Sequence, residues 1–146
     1  MKVRIQEDPK QQESEVVIHC RNADDDEIKR TLNLLSQLNS QIIGKKNNIS
    51  IPVKTTDVLY FDSVDKQTFL YTESDVMETP LRLYMLEERL SNSSFFRTSK
   101  STIINLNKIS SLKPEFGGRM EATLINGERL MISRQYLPEL KIKLEM

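Results

Sequence analysis

The sequence is poor in the side chains that carry most enzyme chemistry. Its 146 residues hold one histidine, His19, and one cysteine, Cys20. A single cysteine forms no internal disulfide, which implies a reducing, cytoplasmic setting. Neighbours on a strand point to opposite faces, so His19 and Cys20 within VVIHC cannot share an ion, and nothing else is present to complete a zinc site. A lone histidine in an apolar strand suits a half-buried, hydrogen-bonded side chain better than a catalytic base. Glycines pair only once, in FGGR, and no helix opens behind them, which excludes a phosphate-cradling nucleotide loop. Asp24–Asp26 lack the glycine and terminal glutamate spacing of a calcium loop. No catalytic residue, metal ligand, cofactor or small-molecule substrate is therefore expected. Long apolar runs are missing too. Nothing approaches the ~18 residues of a membrane span, and MKVRIQEDPK lacks the apolar stretch of a signal peptide. Net charge is also absent, with 21 basic against 21 acidic residues. That excludes an undirected polybasic binder but leaves room for a local basic face, because steering depends on how charge is distributed.

What is present suits a packed domain with a well-solvated surface: 38% of residues are hydrophobic and 29% charged. The length fits one domain, or one domain with a small appendage. The first 43 residues carry 6 basic and 8 acidic side chains, a net −2. Lys2–Gln6 and Glu15–Cys20 read as strands around the polar EDPKQQES. Asp24–Asp26 then place acidic caps at the positive end of a helix dipole. Ile28, Leu32, Leu35 and Leu38 form the stripe of an amphipathic helix that reaches Asn39. Such a β-β-α unit buries little alone and must pack on the remainder or on another chain.

Residues 44–146 are strand-rich and carry a net +2. NNISIPV, DVLYFDSV and TFLYTES read as strands, the first after a turn-like Lys45–Asn48 and the last across Asp65–Lys66. ETPLRLYMLEERL reads as a helix with Thr79 as cap, Pro80 at the first helical position and a stripe of Leu83, Leu86 and Leu90. In STIINLNKI, apolar Ile104 and Leu106 alternate with polar Asn105 and Asn107, and ISSLKPEF follows as a short strand. RMEATLINGERLMIS is a hairpin. Only an odd loop puts Ala122, Leu124, Leu130 and Ile132 on one face, which favours three residues with Gly127 left-handed. Ser133 then caps a helix whose stripe is Tyr136, Leu137, Leu140 and Leu144.

The polar loops of this second part hold the candidate site. Residues 97–119 contain Arg97, Lys100, Lys108, Lys113 and Arg119 against one acid, Glu115. The same charges suit a solvated sheet rim. Two features point instead to a phosphate backbone. Thr98, Ser99, Ser101 and Thr102 are short hydroxyls that bond phosphate oxygens without bulk. Arg134 and Gln135 stand at the mouth of the helix opened by Ser133, where free N–H groups attract anions, and both types make two-pronged contacts to base edges.

VLYFDSVDKQTFLYT, FFRTSKSTIINLNKI and INGERLMISRQYLPELK together resemble the LytTR DNA-binding domain, from about Gly44 to Met146. The resemblance implies an α+β, mostly β architecture: an elongated LytTR β-fold with short helices, here preceded by the β-β-α unit of residues 1–43. It implies strand-end loops that enter successive major grooves of direct-repeat sites on double-stranded DNA. Members are bacterial transcription regulators, usually with a receiver or membrane domain attached. The first 43 residues are too short for a receiver and lack a phosphorylatable aspartate at a strand end. Stand-alone members imply a small membrane protein as a further partner. By position, Thr68 stands where the family often offers a histidine, flanked by Lys66 and Gln67. Ser99 and Lys100 stand where an asparagine commonly follows the arginine of the FFR block. Arg134 matches the arginine after the serine of the last strand. Two of these three positions depart from the common residue, which alters the DNA sequence read. The expected interface is therefore Lys66, Gln67, Thr68, Arg97, Ser99, Lys100, Ser101, Arg119, Arg134 and Gln135. The competing reading is a protein-interaction module whose basic loops bind an acidic protein. Residues 1–43 are a candidate unit for homodimerisation, with their own domain as the alternative cover for the helix.

Overall fold

A computed structural model describes every residue except Glu13, Asn39 and Asn92, together with all side chains but those of these three and of Ser36, Gln37 and Leu38. The chain opens with α1 (Asp26–Leu38), then runs through β1 (Gln41–Lys46), β2 (Ile49–Lys54), β3 (Tyr60–Val64), β4 (Gln67–Tyr71), β5 (Val76–Thr79), α2 (Leu83–Arg89), β6 (Phe95–Arg97), β7 (Thr102–Asn105), β8 (Ile109–Glu115), β9 (Arg119–Leu124), β10 (Arg129–Ile132) and α3 (Leu137–Lys143). Short 3-10 turns at Thr55–Asp57, Leu106–Lys108 and Arg134–Tyr136 join them. Among the described residues, ten strands form two antiparallel sheets, in the orders β2-β1-β5-β4-β3-β7-β6 and β10-β9-β8.

Strand alternation builds two cores on opposite faces of the large sheet. Phe61 and Ile103 point to one side, where Leu70, Phe95 and the α2 stripe of Leu83, Leu86 and Leu90 meet them. Tyr60 and Ile104, one residue along each strand, point to the other, against Met120, Ala122, Leu124, Ile132, Leu137 and Leu140. The central strands are thus covered on both faces, which makes a rigid platform for the loops at their ends. Two of the hairpin turns use left-handed pairs without glycine: Asn47–Asn48 (φ 52° and 63°) and Asp65–Lys66 (φ 51° and 67°). These two-residue loops match the twist of their strands.

The expected three-residue loop between β9 and β10 is borne out. Thr123 pairs with Arg129 and Ala122 with Leu130, the Gly127 N–H donates to the Leu124 carbonyl at 2.9 Å, and Gly127 has φ 89°.

Other expectations are corrected. Lys2–Gln6 and Glu15–Cys20 form no ladder and are almost wholly exposed, so the unit before β1 is not β-β-α but an irregular stretch followed by α1. His19 is exposed rather than half-buried. On α1, Ile28 is buried and Leu32 is 50% exposed, while the side chain of Leu38 and the expected helix end at Asn39 lie outside what is described. Thr79 does not cap α2. It ends β5, which the sequence hides, because pairing of Thr68 with Thr79 overrides the local Thr-Pro helix signal. Pro80 accordingly precedes the helix, whose cap position is Arg82 with no side-chain bond. Phe95–Arg97 is strand β6, paired with β7. Asn105 points inward: its amide donates to the Val58 carbonyl at 3.0 Å and its oxygen accepts from Ser94 Oγ at 2.7 Å.

Candidate nucleic-acid interface

Backbone hydrogen bonds gather three loop ends side by side, and a close packing contact adds a fourth. The Ser63 N–H donates to the Ser101 carbonyl at 2.8 Å, and the Ser133 N–H donates to the Thr98 carbonyl at 2.9 Å. The first bond ties the β3–β4 tip to the β6–β7 loop. The second ties that loop to the turn after β10. The β8–β9 turn joins them through Gly118, where a Cβ would lie 3.0 Å from Arg134 Cδ. Residues far apart in sequence thus share one rim.

Lys66 and Gln67 sit at the β3–β4 tip and are exposed. Thr68 does not join them: alternation along β4 turns it inward, and only 5% of it is accessible in the free chain. In the β6–β7 loop, Lys100 and Ser101 are exposed and Ser99 is half-buried. The Ser101 N–H donates to Ser99 Oγ at 3.2 Å, which tightens the turn. Thr98 is fully buried, and Thr102 Oγ1 donates to Asp62 Oδ1 at 3.2 Å. These two hydroxyls therefore support the loop from inside and do not present themselves to phosphate.

Arg97 was expected to face a polyanion, yet its guanidinium is engaged within the protein. Nε donates to the Ser99 carbonyl at 2.9 Å, one terminal nitrogen donates to the Lys100 carbonyl, and the other pairs with Glu87 of α2 at 2.9 Å. Its side chain is 20% exposed. This fork clamps the loop from below, a use that Lys could not copy because it lacks the planar donor set. No composition signal reveals it, since Glu87 arrives only through the packing of α2.

Arg134 and Gln135 are exposed in a 3-10 turn whose cap residue, Ser133, makes no side-chain capping bond. The α-helix begins only at Leu137. The helix mouth expected there is therefore a tight turn, and the exposed arginine itself is the site's main feature. Arg119 is exposed at the start of β9, its Nε donating to the Phe116 carbonyl at 3.2 Å. Among the described residues no ion pair engages Lys66, Lys100, Arg119 or Arg134. Four cations without a carboxylate partner among the described residues, together with the serine hydroxyls of the β6–β7 loop, can neutralise phosphates and reach groove edges.

Phe116, at the tip of the β8–β9 turn, is 90% exposed. Sequence reasoning passed over it. A signal was available: an aromatic directly before two glycines has no regular element to turn it inward. Among the described residues no group of three or more His, Cys, Asp or Glu could hold a metal ion, and no helix is long and apolar enough to cross a membrane.

Comparison with known proteins follows the same outline. The family model of the LytTr DNA-binding domain matches residues 48–145. A sensory transduction protein LytT of Enterococcus faecalis is 28% identical over 92 residues, covering 63% of this chain and 38% of that protein. The Bacillus cereus LytT is 32% identical over 89 residues, covering 61% of this chain and 36% of its own length. The chain thus spans well under half of these relatives. An uncharacterised HTH-type transcriptional regulator of Staphylococcus aureus is 28% identical over 148 residues, covering 100% of this chain and 99% of that protein. Among solved structures, the LytTr DNA-binding domain of a putative methyl-accepting/DNA response regulator from Bacillus cereus superposes with a TM-score of 0.70 at 28% identity. It covers 74% of this chain and 99% of that one.

Proposed function

The chain belongs to the LytTR DNA-binding domain family, and on that premise we propose that it regulates transcription by seating its linked loop ends in the major grooves of repeated sites on double-stranded DNA. The family is a DNA-binding class and not an enzyme class. One observation carries the finer reading. The bonds from Ser63 to Ser101 and from Ser133 to Thr98 hold three loop ends side by side on a doubly covered sheet. A rigid platform fixes the register of base contacts in advance, so little ordering is lost on binding.

The roles divide by position. Lys66, Lys100 and Arg119 contact phosphates, with Gln67, Ser99 and Ser101 beside them. Arg134, with Gln135, reaches base edges. Arg97 acts indirectly, by holding the loop that carries Ser99–Ser101. The protein works in the cytoplasm, where its DNA lies. Arg134→Ala is expected to lose ~1–3 kcal/mol on a duplex selected from random DNA, and to relax preference at one position. Equal affinity and equal selectivity of Arg134→Ala and the parent sink the assignment.

A further inference from the structure

We propose that Phe116 is a DNA-contacting side chain that packs on thymine methyl groups beside the base position reached by Arg134. This rests on the DNA-binding reading above. The ring is 90% exposed, although an aromatic of this kind buries roughly 150–250 Å² when it finds a partner. The turn that carries it is built and braced. Gly117 and Gly118 have φ 81° and 75°, backbone that glycine adopts without strain. The Phe116 carbonyl accepts from Arg119 Nε, and Gly118 lies against the Arg134 stem so closely that any side chain there would crowd it.

The surroundings identify what covers the ring. Arg119 bonds to its carbonyl, Arg134 lies against Gly118 two residues on, and the acid next to it in sequence, Glu115, is paired with Lys113 at 3.3 Å. A cationic frame around an apolar tip fits a polyanion with an apolar feature in its groove. In DNA that feature is the thymine C5 methyl, which phenylalanine contacts from the major groove. The turn that holds Phe116 lies against the Arg134 stem at Gly118, so one approach to the duplex brings both in.

The test uses the full chain and a duplex obtained by selection from random DNA. Thymines are replaced one at a time by deoxyuridine, which removes only the methyl. The parent should bind about fourfold more weakly at one or two replaced positions, the size of one buried carbon group. Phe116→Ala should bind the thymine and deoxyuridine duplexes alike, whereas Arg134→Ala should bind more weakly overall yet keep the difference. Phe116 is exposed, so its removal leaves the fold intact, and circular dichroism checks this. If deoxyuridine is tolerated everywhere, the methyl contact is wrong while DNA binding stands. If Phe116→Ala matches the parent on the thymine duplex, the ring serves another surface, such as a protein partner. If it weakens all duplexes equally without regard to the methyl, it acts as a wedge, and the proposal is again overturned. If the parent selects no sequence at all, the DNA-binding reading itself falls.

Discussion

Tyr60 shows how a single residue ties the two sheets together. Its ring stacks on Tyr71 with centroids 4.1 Å apart, and its hydroxyl donates to Glu128 Oε2 at 2.7 Å across from the β9–β10 loop. Burial, reinforced by the hydrogen bond to Glu128 and by that carboxylate's charge, raises its pKa well above the ordinary 10.0. The fold therefore favours the neutral phenol. In the unfolded chain the phenol ionises near its ordinary value, while in the folded chain it stays protonated. Stability is fully present below about pH 10 and falls as pH rises beyond it. Lys143 works the other way. Burial lowers the pKa of this ammonium, which stands over the Phe96 ring, so its contribution grows as pH approaches 10.5. Comparing the parent with Tyr60→Phe removes the common lysine effect. The urea midpoint of the parent should drop more between pH 8 and pH 10.8 than that of Tyr60→Phe. A parallel decline in both proteins means that the Tyr60 phenol is not held neutral.

At the scale of elements, close approach governs β1. A Cβ on Gly44 would stand 2.7 Å from Met77 Sδ and 3.0 Å from Met77 Cβ, with Leu70 Cδ2 at 3.3 Å. The Met77 thioether can swing away, but its Cβ is fixed to β5. Gly44→Ala should thus cost about 1–3 kcal/mol through overpacking, read as a lower urea midpoint, with no change in the loops at the far rim. An unchanged midpoint means that β1 shifts freely against β5. The elements also show where the sequence could be read. The three-residue loop before Glu128 was legible because an even loop would have set Leu124 and Leu130 on opposing faces. The α2 stripe was legible because Leu83, Leu86 and Leu90 repeat at helical spacing. β5 and β6 were not, because strands of four and three residues carry too little periodicity and exist only through their neighbours. Lys2–Gln6 alternates like a strand and finds no partner. In the candidate site, serine and lysine content pointed to the β6–β7 loop, but the inward turn of Thr68 and the internal bonds of Arg97 depended on pairings that no local pattern encodes.

At the scale of the whole molecule, zero net charge and a cationic rim lead to a definite salt response. With roughly six phosphates neutralised, affinity for a selected duplex should fall about 10³-fold or more between 50 and 200 mM salt. Binding that stays flat across this range excludes a phosphate-facing rim. The response concerns the loops at the rim; the first 43 residues, net −2, repel phosphate, and although residues 41–43 already belong to β1 of the large sheet, the stretch before them needs a different role. Val3, Ile5, Val16 and Val17 are 85%, 89%, 69% and 62% exposed, and Leu32 of α1 is 50% exposed. Water is a poor resting place for so much apolar surface in one segment. We propose that residues 1–43 form an extension that pairs with its counterpart in a homodimer, placing two rims on repeated half-sites. The full chain should have the mass of a dimer at tens of micromolar without DNA. Leu32→Glu, at an exposed position that the fold itself does not need, should shift it to a monomer. A parent that is monomeric throughout that range leaves these residues as an appendage to one domain.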